Sequence, residues 1–280
     1  MQTLLDNLKS GQVFTEPFPH LIVANALPEE LCLKLTSEYP PLNLIAGGAE
    51  TSSNQRFSMS AVEAWNCASL SPLWQEFARM HTSEAFFTQV INLFEDHIRS
   101  VYPYFERDIG PLGELSTGVR YMDVGAKADV LLDAQICVNT QVVGTPSAVR
   151  RVHVDSPNKL FTGLYYLRHP DDTSAGGDLE IYKFQGKPRG FRMAEIDDRY
   201  VEVVKTIKYR SNTLVMFVNS IRALHAVTER QITPFPRYLF NLVGEVKGPL
   251  FDLEKYQKRK ARAYLFRTLR GVRKLVRRQF

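Results

Sequence analysis

His153-Val154-Asp155 sets an imidazole and a carboxylate two residues apart. In an extended chain, side chains at that spacing project to the same face, while Val152 and Val154 project to the other. One polar pair therefore converges on a point above an apolar backing, supplying two of the three ligands of a facial metal site. Of the six histidines, His225 is the best placed to be the third. It follows the apolar run 213–218 after a short turn, which would present an imidazole at the mouth of a β framework. His153, Asp155 and His225 together would cover one face of an octahedral Fe(II) and leave the opposite face for substrate-derived ligands and oxygen. His20, His81, His97 and His169 read as structural or surface residues.

Twelve residues after His225, Arg237 opens the otherwise apolar run Arg237-Tyr238-Leu239-Phe240. A guanidinium whose head is buried requires an anion, and its fork matches a carboxylate in bidentate fashion. A dicarboxylate co-substrate would fill that role. Arg230 is the rival anchor; it sits in the polar run Thr228-Glu229-Arg230-Gln231, which reads as a solvated turn.

These residues need a frame to hold them. Pro28 opens a helix through Glu38, stopped at Tyr39-Pro40-Pro41, and further helices are expected near 71–80 and 83–101. In the last, Phe86, Phe87, Val90, Leu93, Phe94 and Ile98 recur at helical spacing and form a core face. Residues 46–60, rich in Gly, Ser, Asn and Ala, read as an exposed loop and a candidate lid. Beyond Pro103 the pattern becomes extended, with strands expected at 118–123, 130–142, 150–154, 160–167, 178–184, 201–209, 213–218, 223–228 and 237–244. So many short strands without intervening helices indicate a sandwich, jelly roll or barrel. Gln135, Asn139 and Gln141 share one face of the second of these strands, near the polar site.

Five features in order, His153-Val154-Asp155, the run Thr162-Gly163-Leu164-Tyr165-Tyr166-Leu167, the turn Gly176-Gly177, His225 and Arg237, resemble the Fe(II)- and 2-oxoglutarate-dependent dioxygenases of the prolyl-4-hydroxylase-like branch. The opening Pro17-Phe18-Pro19-His20-Leu21-Ile22-Val23 is similar to that family's N-terminal support region. The resemblance covers about residues 118–245 and implies a double-stranded β-helix (jelly-roll) core. It also implies Fe(II) on His153, Asp155 and His225, and 2-oxoglutarate as co-substrate, its distal carboxylate held by Arg237 with Tyr166. O2 is the oxidant and ascorbate a candidate reductant. The implied chemistry is hydroxylation of an unactivated C–H bond with release of succinate and CO2. Related halogenases replace the carboxylate ligand by a small residue, so Asp155 favours hydroxylation; desaturation and cyclisation share the same chemistry. A non-catalytic jelly-roll binding module is the alternative from outside enzymology. A cupin is disfavoured because the first pair is His-x-Asp and not His-x-His.

Composition bounds the remainder. Hydrophobic residues make up 44% of the 280, enough for a sizeable core in a mainly β chain with supporting helices. The expected organisation is one oxygenase domain over 1–250, with helical support over about 1–105 and the core over about 106–250. A basic amphipathic helix is expected over 251–280. That tail holds 11 Lys or Arg against Asp252 and Glu254, whereas residues 1–250 hold 24 basic against 28 acidic residues. The basic balance therefore belongs to the tail, which suits an acidic membrane surface or protein partner, and gives the body no signature of nucleic-acid binding. Cys32, Cys67 and Cys137 match no disulfide or metal framework. With neither a signal peptide nor a membrane span apparent, a cytoplasmic enzyme acting on a small-molecule or peptidyl substrate is expected.

Overall fold

The strands alternate by residue between two destinations. In the computed structural model, which describes residues 2–257 apart from 7, 9–11, 124 and 126, seven strands build one large sheet. Its antiparallel order is β1 (His20–Ala24), β10 (Thr213–Val218), β5 (Lys159–Tyr166), β12 (Arg237–Val246), β4 (Val130–Asn139) and β2 (Arg56–Met59); β3 (Thr117–Val119) pairs in parallel with β4. A smaller antiparallel sheet has the order β11 (His225–Val227), β6 (Leu179–Phe184), β9 (Val201–Ile207). A short hairpin joins β7 (Phe191–Arg192) to β8 (Glu195–Ile196).

One face of the large sheet packs on helices. Ala134, Ile136 and Val138 of β4, Tyr165 of β5, Met216 of β10 and Phe240 of β12 join the main core with α4 (Pro72–Met80) and α5 (Glu84–Val101). The side chains of the other parity, Cys137, Leu164, Tyr166, Val215 and Leu239, pack against Leu179, Ile181 and Ile207 of the small sheet. Each large apolar side chain so buried contributes about 1.5–3 kcal/mol, and Trp74, Phe77 and Phe240 meet at ring distances of 4.9–5.8 Å.

Serines start the helices. Ser71 and Ser83 cap α4 and α5, and Ser60 forms a reciprocal capping box with Glu63 at the start of α3 (Ala61–Asn66). Three shorter or earlier helices, α1 (Glu29–Ser37), α2 (Leu42–Ile45) and α6 (Phe105–Asp108), complete the support.

The expectations for 28–38, 71–80 and 83–101 match α1, α4 and α5 within a residue or so. Three others do not match in full, and of 118–123 only the first two residues lie in a strand, β3. Residues 46–60 are not one loop, because 56–59 pair with β4 as its outer neighbour and close the large sheet. Residues 150–154 form no continuous strand; His153 instead makes isolated bridges to His225 and Glu195. Residues 4–6 form a turn, and most of the expected C-terminal helix, residues 258–280, lies outside the described residues; 254–256 make a single 3-10 turn. Among the described residues no helix is long and apolar enough to cross a membrane.

Candidate active site

His153 and His225 are stitched to one another through the backbone: each amide N–H donates to the other's carbonyl oxygen at 3.0 Å. On the far side, Val154 N–H donates to Ala194 O, and Ile196 N–H donates to Val152 O. The segment is thus extended and held on both flanks without belonging to a regular ladder. Val152 and Val154 bury against Leu224, Ala226 and Phe191, which leaves His153 and Asp155 on the opposite face.

There, one ligand atom each from His153, Asp155 and His225 lies within 4.8 Å of the others, the one such group of metal-binding character among the described residues. Both imidazoles are oriented by carbonyls. His153 Nδ1–H donates to Arg151 O at 2.8 Å and His225 Nδ1–H to Ala223 O at 3.0 Å. A carbonyl only accepts, so Nδ1 carries the proton in each ring and Nε2 presents a lone pair. Burial holds both histidines below their ordinary pKa; for His153 the neighbouring His225 and Arg150 add to the effect. Neutral imidazoles are the form a metal requires.

Asp155 divides its oxygens. Oδ2 accepts from Thr162 Oγ1 at 2.7 Å and lies 3.4 Å from Lys159 Nζ, while Oδ1 lies 3.9 Å from His153 Nε2. Burial alone would raise this carboxyl, but the Lys159 ammonium and the Thr162 hydroxyl favour its ionised form, and the group is held below the ordinary carboxylate range. Two neutral nitrogens and one ionised oxygen fit a divalent cation of intermediate softness.

A cavity of about 290 Å³ opens from this triad. Tyr166 and Arg237 line it away from the metal-binding atoms. Arg237 is only 2% exposed; its Nε–H donates to Gly177 O at 3.0 Å, and its guanidinium sits between the rings of Tyr166 and Tyr209, 4.9 and 4.8 Å from their centroids. The Gly-Gly turn that carries this acceptor packs directly on the backbone at Glu229. A Cβ on Gly176 would fall 1.7 Å from Glu229 O, and both glycines have positive φ. Among the described residues Arg237 has no carboxylate partner, and the buried Tyr166 hydroxyl has no hydrogen-bond partner. An orphaned hydroxyl beside an unpaired buried guanidinium fits the distal carboxylate of a dicarboxylic acid.

Arg230, equally buried, is differently engaged. Its Nη2 donates to Asp172 Oδ2 at 2.6 Å, its Nε to Ser174 Oγ at 3.3 Å, and it does not line the cavity. Tyr165 points to the helix side and donates to Asn212 Oδ1. Gln135 accepts from Asn241 Nδ2, Asn139 accepts from Arg56 Nε, and Gln141 lies beyond β4 with its carbonyl accepting Asn54 N–H. His20 and His81 are buried in apolar surroundings and His169 stacks on Phe235, all apart from the triad.

Sequence reasoning missed Arg56, Arg150, Lys159 and Tyr209. For Lys159 a signal existed, since it lies four residues from Asp155; Arg56 is brought in by sheet register and Tyr209 by the chain just beyond β9, and neither left a local trace.

With the site in view, the comparison with known families is direct. Residues 141–242 match the model of the 2OG-Fe(II) oxygenase superfamily, and all of His153, Asp155, His225, Tyr166 and Arg237 fall within the match. That segment of the chain is similar to the 2OG-Fe(II) oxygenases. No curated protein matches the chain. Similar solved structures include a prolyl-4-hydroxylase of Pseudomonas putida, at 11% identity over 82% of this chain and 93% of that one, with a TM-score of 0.44. A prolyl hydroxylase of Trichoplax adhaerens, in complex with a hypoxia inducible factor oxygen degradation domain peptide fragment, has 16% identity over 81% and 84%, with a TM-score of 0.45. One from Phytophthora capsici prolyl 4-hydroxylases has 14% identity over 91% and 68%, with a TM-score of 0.46.

Proposed function

We propose that the protein is an Fe(II)- and 2-oxoglutarate-dependent dioxygenase of the prolyl-4-hydroxylase-like branch, built on a jelly-roll core, that hydroxylates an unactivated C–H bond. The observation that carries this reading is the bipolar cavity. One end has three convergent metal-binding atoms, and the other has a buried guanidinium and a buried hydroxyl, neither with an anionic partner.

Bound iron and 2-oxoglutarate would supply the oxidising chemistry, with succinate and CO2 as co-products. The chain's own contribution is placement. His153 and His225 would offer Nε2 and Asp155 would offer Oδ1, each oriented by a fixed hydrogen bond to its other polar atom. Arg237 and Tyr166 would hold the distal carboxylate, which sets the direction in which the co-substrate reaches the metal. Leu164, Leu179, Val227 and Leu239 wall the cavity with apolar surface and exclude bulk water from between the two poles.

The decisive measurement is conversion of 2-oxoglutarate to succinate by the purified protein with Fe(II) and O2, run alongside a panel of small-molecule and peptide substrates. Iron-dependent succinate release is expected. A protein that neither binds iron nor consumes 2-oxoglutarate would be a binding module on the same fold.

A further inference from the structure

The cavity is more cationic than its two assigned ends require. Arg56, Arg150, Lys159 and Arg237 line it, against the single carboxylate of Asp155. With neutral imidazoles that is an excess of three positive charges, and adding a divalent cation together with a dicarboxylate leaves the excess unchanged. Lys159 is matched by Asp155, and Arg237 would be matched by the co-substrate. Arg56 and Arg150 remain. Arg56 donates through Nε to Asn139 Oδ1 at 3.2 Å and has no ion pair among the described residues. Among the described residues the one carboxylate paired with Arg150 is Asp155 at 4.0 Å, already shared by Thr162 and Lys159.

The two arginines are set by one wall. Arg56 ends the segment 52–55 and Arg150 ends the segment 140–149, and these segments are bonded along their length. Asn54 N–H donates to Gln141 O, Asn54 Nδ2 to Ser147 O at 2.9 Å, Thr140 Oγ1 to Ser52 O at 2.6 Å, and Val143 N–H to Ser53 Oγ at 2.9 Å. From the other side, Ser147 exchanges backbone hydrogen bonds with Arg230, itself anchored by Asp172. Arg56 also lies in register with Asn139 and Arg237 across β2, β4 and β12, so it faces the same cavity as Arg237 but from the sheet's outer strand. Arg150 stands at the mouth beside the metal-binding triad, its side chain 47% exposed.

We infer that the substrate oxidised at this site is an anion, and that Arg56 and Arg150 hold its carboxylate or phosphate group at the mouth of the cavity. This rests on the dioxygenase reading for the word substrate, but the anion site stands on its own residues. At about 290 Å³ the cavity lies at the small end of ligand sites, so a dicarboxylate co-substrate fills much of it and the substrate's charged group is left at the open end. Two guanidiniums flanking one anion provide charge-assisted hydrogen bonds with the planar geometry that carboxylates and phosphates fit.

Inorganic sulfate, a weak metal ligand, is the probe. It is titrated calorimetrically into the protein loaded anaerobically with Fe(II) and 2-oxoglutarate, with chloride at equal ionic strength as the control. Sulfate should bind at one site, and Arg56→Gln and Arg150→Gln should each weaken it about tenfold or more, with Arg56→Lys and Arg150→Lys intermediate. No sulfate binding to the loaded protein, or equal binding by the Arg56→Gln/Arg150→Gln double variant, would overturn the inference. So would an Arg56→Gln variant that loses affinity for 2-oxoglutarate and not for sulfate, since Arg56 would then belong to the dicarboxylate clamp. The 2-oxoglutarate titration performed before loading reports separately on the dioxygenase reading: if it fails, sulfate binding by the unloaded protein and its loss in the same variants still decide the anion site.

Discussion

The two faces of the large sheet use the same strands for opposite purposes. On the helix side, Phe240, Tyr165 and Met216 pack into a continuous apolar core with Trp74 and Phe77. One residue away along the same strands, the other face carries Tyr166, Asn241 and Arg237 and adjoins Asp155 and the two histidines. The first face satisfies its groups internally; the second leaves a guanidinium and a hydroxyl unpaired in a buried setting, which costs stability and is retained where an incoming ligand supplies the partner. Arg230 and Arg237 make the same point in miniature. Both are buried and both lie near the ring of Tyr209, but only Arg230 has a carboxylate of its own.

That contrast can be tested from each side. The largest effect is expected at Asp155: Asp155→Ala should reduce 2-oxoglutarate turnover by on the order of 10³-fold with the unfolding midpoint little changed, and a fully active variant would refute the ligand assignment. On the helix side the outcome should invert. Phe240→Ala, facing Trp74, Phe77 and His81, should lower the unfolding free energy by about 3–5 kcal/mol in urea titrations.

His81, on that same apolar side, should make the fold acid-sensitive. Burial holds its pKa down to about 4, while Nε2 accepts the Leu4 N–H. Because the folded value is depressed, the stability it contributes is complete above about pH 6.5 and is lost as pH falls through about 4, a change of ~3 kcal/mol. Comparing urea unfolding at pH 7 and pH 4 should show this loss, and His81→Leu should flatten it. The smallest of these effects is on the cavity side: Arg237→Ala should raise the 2-oxoglutarate requirement about 10- to 100-fold with little loss of stability. An unchanged requirement would remove Arg237 from the clamp.

What sequence alone determined was whatever depends on local geometry. The period of two put His153 with Asp155 and apart from Val152 and Val154, and that held even though 150–154 forms no regular strand, since side-chain parity needs only an extended backbone. The stripe on α5 and the change from helical to extended pattern near residue 103 were legible for the same reason. The capping box at Ser60 and Glu63 was equally local but lay behind a stretch whose Gly and Ser content suggested a loop. Tertiary structure alone decided the rest. Nothing near Arg230 or Arg237 in the chain reveals that Asp172 reaches one and no carboxylate reaches the other. Nor could the segment 46–60 disclose that its last residues join the sheet edge and bring Arg56 into register with Asn139 and Arg237, because pairing between strands some eighty and some hundred residues apart is set by packing of the whole sheet and not by any local preference.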